Sequence, residues 1–176
     1  MAMAMARANM VPGRQRRADL LIPDRLDRVL AIASAALLAV VLVAIARGYG
    51  QWGAVPGVIW LHLATILTAV ALTPVMLLRR RGDRRHRLLG TIWVLAMFGT
   101  ALVSLFVHTS GPGRFSVIHI LSVWTLIQVP IIWWSARTHH LERHRGSVRG
   151  MVIGALLIAG FFTFPFHRLL GTWLFG

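Results

Sequence analysis

Apolar residues run almost without interruption through five stretches, each bounded by arginines, glycines or turn-forming residues. The runs extend over Val29 to Ala46, Ala54 to Leu78, Leu88 to Val107, Phe115 to Ala136 and Gly150 to Phe166. Crossing about 30 Å of hydrocarbon takes roughly 20 helical residues, so the pattern predicts five transmembrane helices. Strands of a membrane barrel would alternate in polarity at every second residue, and these runs do not. A helix also satisfies its own backbone hydrogen bonds in lipid. Pro74, Pro130 and Pro165 fall inside the runs or near their ends, where they predict kinks without cancelling a span.

Composition agrees with this reading. The 176 residues are 57% hydrophobic and only 14% charged, against about 25% charged in an average soluble domain, which excludes a soluble enzyme. The chain has no cysteine, so disulfides, thiolate-bound zinc or iron–sulfur centres and covalently attached c-type haem are excluded as well. Histidine is the remaining metal ligand of note.

All nineteen basic residues are arginine. Six precede the first run, six lie between the second and third, and four between the fourth and fifth. Only Arg47, Arg114 and Arg168 fall on the other side. By the positive-inside rule this predicts a bacterial inner-membrane protein with a cytoplasmic N-terminus and an external C-terminus. The same distribution assigns the arginines to topology and to membrane lipid headgroups rather than to nucleic acid.

Residues 1–28 read as an Arg-rich cytoplasmic tail, mostly disordered, with an amphipathic turn at Leu26 to Leu30. Residues 29–53 supply the first span and an external loop. That span is alanine-rich and has no histidine, so it reads as a peripheral anchor. Arg16-Arg17 has the form of a twin-arginine signal, but Asp19 and the missing cleavage site argue against export processing.

Residues 54–114 and 115–176 carry an internal repeat. The first copy has Trp60-Leu61-His62, Pro74, His86-Arg87 and His108; the second has Val117-Ile118-His119, Pro130, His144-Arg145 and His167. Six of the eight histidines are thereby paired in order, leaving His139 and His140 in a loop. The pattern predicts a duplicated helical hairpin whose copies run in the same direction and form a pseudo-twofold four-helix bundle, a parallel repeat. At 1.5 Å per residue, His62 and His119 stand roughly 24 Å from the cytoplasmic ends of their helices. His108 and His167 lie at a similar or more external level, and His86 and His144 at the cytoplasmic edge. Steps of three and four place His62, Thr65, Ala69, Thr73 and Met76 on one inward stripe, and Gly90, Met97, Ala101, Ser104 and His108 on another. Leu61, Ile66, Leu67, Val70, Val94 and Leu95 would then face lipid.

An ionisable side chain within a span is a candidate functional site. His62 and His119 suit axial ligation of a b-type haem, with small neighbours leaving room for the macrocycle, or a role as neutral imidazoles bonded across helices. His86 and His144 suit a second, cytoplasmic-side haem whose propionates meet Arg87 and Arg145, or helix caps and headgroup contacts. His62, His119, His108 and His167 together offer a four-histidine metal or proton-relay site. The tryptophans lie mostly near span ends, as belt anchors.

From Trp60 to Arg168 the sequence resembles a family of bacterial predicted membrane proteins of unknown function, on the strength of His62, the turn His86-Arg87-Leu88-Leu89-Gly90 and the later His144-Arg145. More distantly it resembles the cytochrome b561 superfamily of di-haem membrane proteins. That resemblance implies an external haem on His62 and His119, an internal one on His86 and His144, and electron transfer between quinol or another donor and a redox partner. The alternative is a non-catalytic membrane subunit, or a metal- or proton-binding protein with structural histidines. The five acids, Asp19, Asp24, Asp27, Asp83 and Glu142, all fall in cytoplasmic segments, so no catalytic residue is assigned within the bundle.

Overall fold

A computed structural model of the chain describes residues 18–106, 117–165 and 167–176. Their regular elements are helices, in the order α1 (Arg25–Arg47), a short 3-10 turn (Tyr49–Ala54), α2 (Gly57–Leu78), α3 (Arg84–Ser104), α4 (Val117–Arg137) and α5 (Leu141–Met151). Helix α5 runs on through a π-helical stretch (Val152–Ile158) into α6 (Ala159–Phe161), and α7 (Leu169–Phe175) follows. Four helices are long and apolar enough to cross a membrane: those over Ala18–Arg47, Gly57–Leu78, Arg84–Ser104 and His119–Arg137. The fifth apolar run is helical only over residues 150–161, through the end of α5, the π-helical stretch and α6, and turns from Phe162 onward, so it is not one of the four.

The helix starts differ from the apolar runs because capping chemistry, not hydropathy, sets them. Helix α1 begins at Arg25, four residues before its apolar run. There the Asp24 carboxylate accepts from the Asp27 backbone N–H and the Asp27 carboxylate accepts from that of Asp24, a reciprocal cap that satisfies two otherwise orphaned donors. Asp24 and Asp27 are therefore part of an ordered helix start and not of a solvated tail; residues 1–17 of that tail lie outside the described residues. Helix α3 begins at Arg84 because Asp83 caps it by accepting from the His86 N–H, and this bond, then Arg79, holds the Asp83 carboxyl below its ordinary value. His86 consequently lies in the first helical turn, and His144 lies within α5; neither is a loop residue.

Neighbours in sequence pack together from α1 to α5, and α1 also packs on the π-helical stretch and on α7. Helix α1 thus stands between α2 and the fifth segment as part of the bundle, which corrects its reading as a peripheral anchor. The correction explains Val70, placed on the lipid face by sequence. It is buried in one apolar cluster with Leu30 and Ala31 of α1, Met97 of α3, Ile132 of α4 and Val152 of the π-helical stretch. Of the inward stripes, Ala69, Thr73, Met76, Met97, Ala101 and Ser104 are buried; of the residues assigned to lipid, Leu61 and Leu95 are exposed, whereas Ile66, Leu67 and Val94 are half-buried against the two core clusters because α1 and α7 cover that side. At the centre Trp93, 2% exposed, donates its indole N–H to the Thr73 hydroxyl, which donates in turn to the Ala69 carbonyl.

A second cluster closes the opposite end, where Val41 and Ala44 of α1 meet Leu63 of α2 and Leu170 and Trp173 of α7. Tyr49, Trp52, Trp60 and Trp173 form a chain of ring contacts there, and Trp173 donates to the Gln51 side-chain carbonyl. Gly48 lies against the face of Trp173, where a Cβ would collide with the indole. Gly160 likewise admits Leu37 of α1.

Candidate functional site

The histidines nearest the arginine-rich end are the ones the fold brings together. His86, from the first turn of α3, and His144, from α5, line one cavity with Met76, Leu77, Arg81, Arg145, Val148 and Arg149. Its volume is about 20 Å³, room for one water-sized occupant. Both rings are half-buried. The Nδ1 of His144 lies 3.2 Å from the Ile132 carbonyl oxygen. A carbonyl only accepts, so Nδ1 carries the proton and Nε2 keeps its lone pair. The Nδ1 of His86 is buried and has no hydrogen-bond partner. Burial holds the His144 imidazole below its ordinary value of 6.5, the bond to Ile132 opposes this, and the charge on Arg81 adds to it.

Behind the cavity lies an ion cluster. The carboxylate of Asp27, 0% exposed, accepts from Arg81 at 2.8 Å and from Arg145 and Arg149 at 2.9 Å each. Asp24 accepts from Arg145 at 2.8 Å and Arg149 at 2.6 Å, and Arg81 also donates to the backbone carbonyls of Leu20 and Ile22. These contacts tie the start of α1 to the α2–α3 turn and to α5, that is, to both hairpins. A buried carboxylate is tolerated only when paired and fully hydrogen-bonded, and the cluster meets both conditions. Asp24, Asp27, Arg81 and Arg149 are absent from the candidates drawn from sequence. The signal for them was present: two of only five acids stand three apart at a helix start, the spacing of a reciprocal cap.

The remaining candidates are placed separately. His62, half-buried on α2, has its Nδ1 3.0 Å from the Ser104 hydroxyl of α3. That hydroxyl also lies 2.8 Å from the Thr100 carbonyl oxygen and donates to it when His62 Nδ1 carries the proton. His119 is half-buried near the start of α4. Helices α2 and α4 both pack on α3. His167 is exposed with a left-handed backbone, φ 55°, and His108 lies outside the described residues. Among the described residues no three His, Asp or Glu side chains gather as a metal-ligand set. Arg145 lines the cavity, whereas Arg87 is exposed and donates to the Gly82 carbonyl.

Two imidazoles lining one cavity, one with Nδ1 fixed by a carbonyl, match the donor chemistry of a histidine-ligated metal. The space does not match a porphyrin, because Met76, Leu77 and Val148 close the cavity to the size of one water. As packed, the inner pair therefore suits a proton or a small ion. In comparisons with protein-family models, curated proteins and solved structures, nothing matches this chain.

Proposed function

We propose that the chain is a non-catalytic integral membrane protein whose His86–His144 pair is a proton-binding site between two duplicated hairpins. In this reading it spans the bacterial inner membrane five times, with the arginine-rich face cytoplasmic. The observation that carries the reading is the convergence of these two rings, from different hairpins, on one small cavity. The charged groups around it are Arg81, Arg145 and Arg149, balanced in part by Asp24 and Asp27, with the Arg79–Asp83 pair beside them. Two imidazoles that share one cavity are expected to titrate as a coupled pair. Histidine ¹⁵N spectra through a pH titration test this: replacing either ring by phenylalanine displaces the titration of the other. Two independent titrations, each indifferent to loss of its partner, overturn the proposal.

A second reading places a b-type haem on the outer pair, as the resemblance to cytochrome b561 proteins implies. What favours it is the contact of His62 Nδ1 with Ser104, which in the Nδ1–H tautomer leaves Nε2 able to ligate, and the packing of both α2 and α4 on α3. A haem held there would supply one-electron transfer to or from a quinone or a redox partner protein. A reduced-minus-oxidised absorption spectrum of protein made in haem-replete cells decides it. The reading expects a b-type band lost in His62→Ala and His119→Ala; its absence from the unaltered protein rejects it.

A further inference from the structure

The cavity that His86 and His144 share is also lined by three arginines, Arg81, Arg145 and Arg149, and the carboxylates bonded to their guanidiniums are those of Asp24 and Asp27. Three positive charges against two negative leave the group with a net +1. Two nitrogens on its lining residues are buried without a partner: Nε of Arg145 and Nδ1 of His86. The other guanidinium nitrogens of Arg145 and Arg149 that bond do so to Asp24 and Asp27, so the Arg145 Nε–H is a donor left over after the internal pairing is complete. Arginine Nε–H can only donate, and a buried donor in a net positive site calls for an acceptor with negative charge. A metal cation has the wrong sign for this position.

We infer that this cavity seats one oxygen of a phosphate group, held by the Arg145 Nε–H and the His86 ring, with the rest of the group at the mouth. The inference rests on the cavity described under the proposed function and adds its ligand. Size and place select phosphate. The space admits a single atom-sized group, arginine is the side chain whose geometry suits oxyanions, and the arginine-rich end is the level at which lipid phosphates lie. The phosphate belongs either to an anionic lipid headgroup or to the free ion. An oxyanion there also favours the charged form of a neighbouring imidazole, so phosphate and a proton bind together.

The test uses the full chain purified in detergent. Thermal unfolding is followed against inorganic phosphate, and native mass spectrometry follows retained phosphatidylglycerol after reconstitution with and without that lipid. His86→Phe removes the unpartnered ring nitrogen. Arg145→Lys keeps the charge but removes the Nε–H, and Arg137→Gln, an exposed position stacked on Trp133, controls for general surface charge. Loss of one charge-assisted bond weakens binding by roughly tenfold or more. That loss is expected in His86→Phe and Arg145→Lys and not in Arg137→Gln. Protection by inorganic phosphate identifies the free ion as a sufficient ligand, and lipid retention without such protection identifies the headgroup. No binding of either, equal protection by chloride, or equal loss in all three variants overturns the inference. The ¹⁵N titration in phosphate-free buffer separates the two proposals: coupled rings without phosphate binding leave the proton site standing, and uncoupled rings remove the cavity itself.

Discussion

Asp27 and Arg145 are 118 residues apart in the chain and 2.9 Å apart in the fold. Together with Arg81 and Arg149 this pair makes the first helix a clamp across the arginine-rich end of the bundle, where neighbouring arginines would otherwise repel. Breaking a buried ion pair from one side leaves uncompensated charge and costs about 3–5 kcal/mol. Asp27→Ala is therefore expected to unfold far below the parent in a detergent melt. An unchanged midpoint would mean the arginines do not depend on this carboxylate.

The Thr73–Trp93 bond makes a second prediction, at the centre of the bundle. Thr73→Val keeps the shape but strands a buried indole N–H, at a cost of about 1–3 kcal/mol. Trp93→Phe made in the Thr73→Val background removes the stranded donor too, so the double variant should lose less than the sum of the two single changes. Strict additivity in a double-mutant cycle would count against the bond.

At the opposite end, Gly48→Ala forces the Trp173 ring away and with it the bond to Gln51. Overpacking of this kind costs roughly 1–3 kcal/mol. Tryptophan fluorescence should shift toward that of a solvated indole, and an unchanged spectrum would contradict the packing.

Acid should weaken the fold through His144. Its folded-state value lies below the ordinary 6.5 because of burial, despite the bond to Ile132, with Arg81 adding to the effect. The unfolded ring therefore takes up a proton first as the pH falls. This contribution to stability is complete above pH 6.5, declines on acidification below it, and levels off once the folded ring is also charged. Melts across this range should slope less steeply in His144→Phe; identical slopes would remove His144 from the account.

The all-helical fold and four helices long and apolar enough to cross a membrane were legible from hydropathy, because unbroken apolar runs report directly on such helices. The starts of α1 and α3 were not, since Asp24 and Asp83 fix them by capping beyond the apolar run. The sequence pattern matches His86 with His144, and both line one cavity, but their helical setting was not legible, because the adjacent arginines resemble a loop. The role of α1 was hidden for a different reason. Its partners, Arg81, Arg145 and Arg149, are distant in sequence and sit among arginines that topology alone explains, so only the fold distinguishes the buried ones from the rest.

His86 and His144 line one cavity from two different helices, and the absence of cysteine from the sequence makes their proximity directly measurable. In a chain carrying His86→Cys and His144→Cys, a short bis-maleimide reagent, whose span covers the space the two rings occupy, should close an intramolecular cross-link in membranes. A chain carrying His62→Cys and His144→Cys should stay open. Failure of the first pair to cross-link, or equal cross-linking of both, would contradict the arrangement.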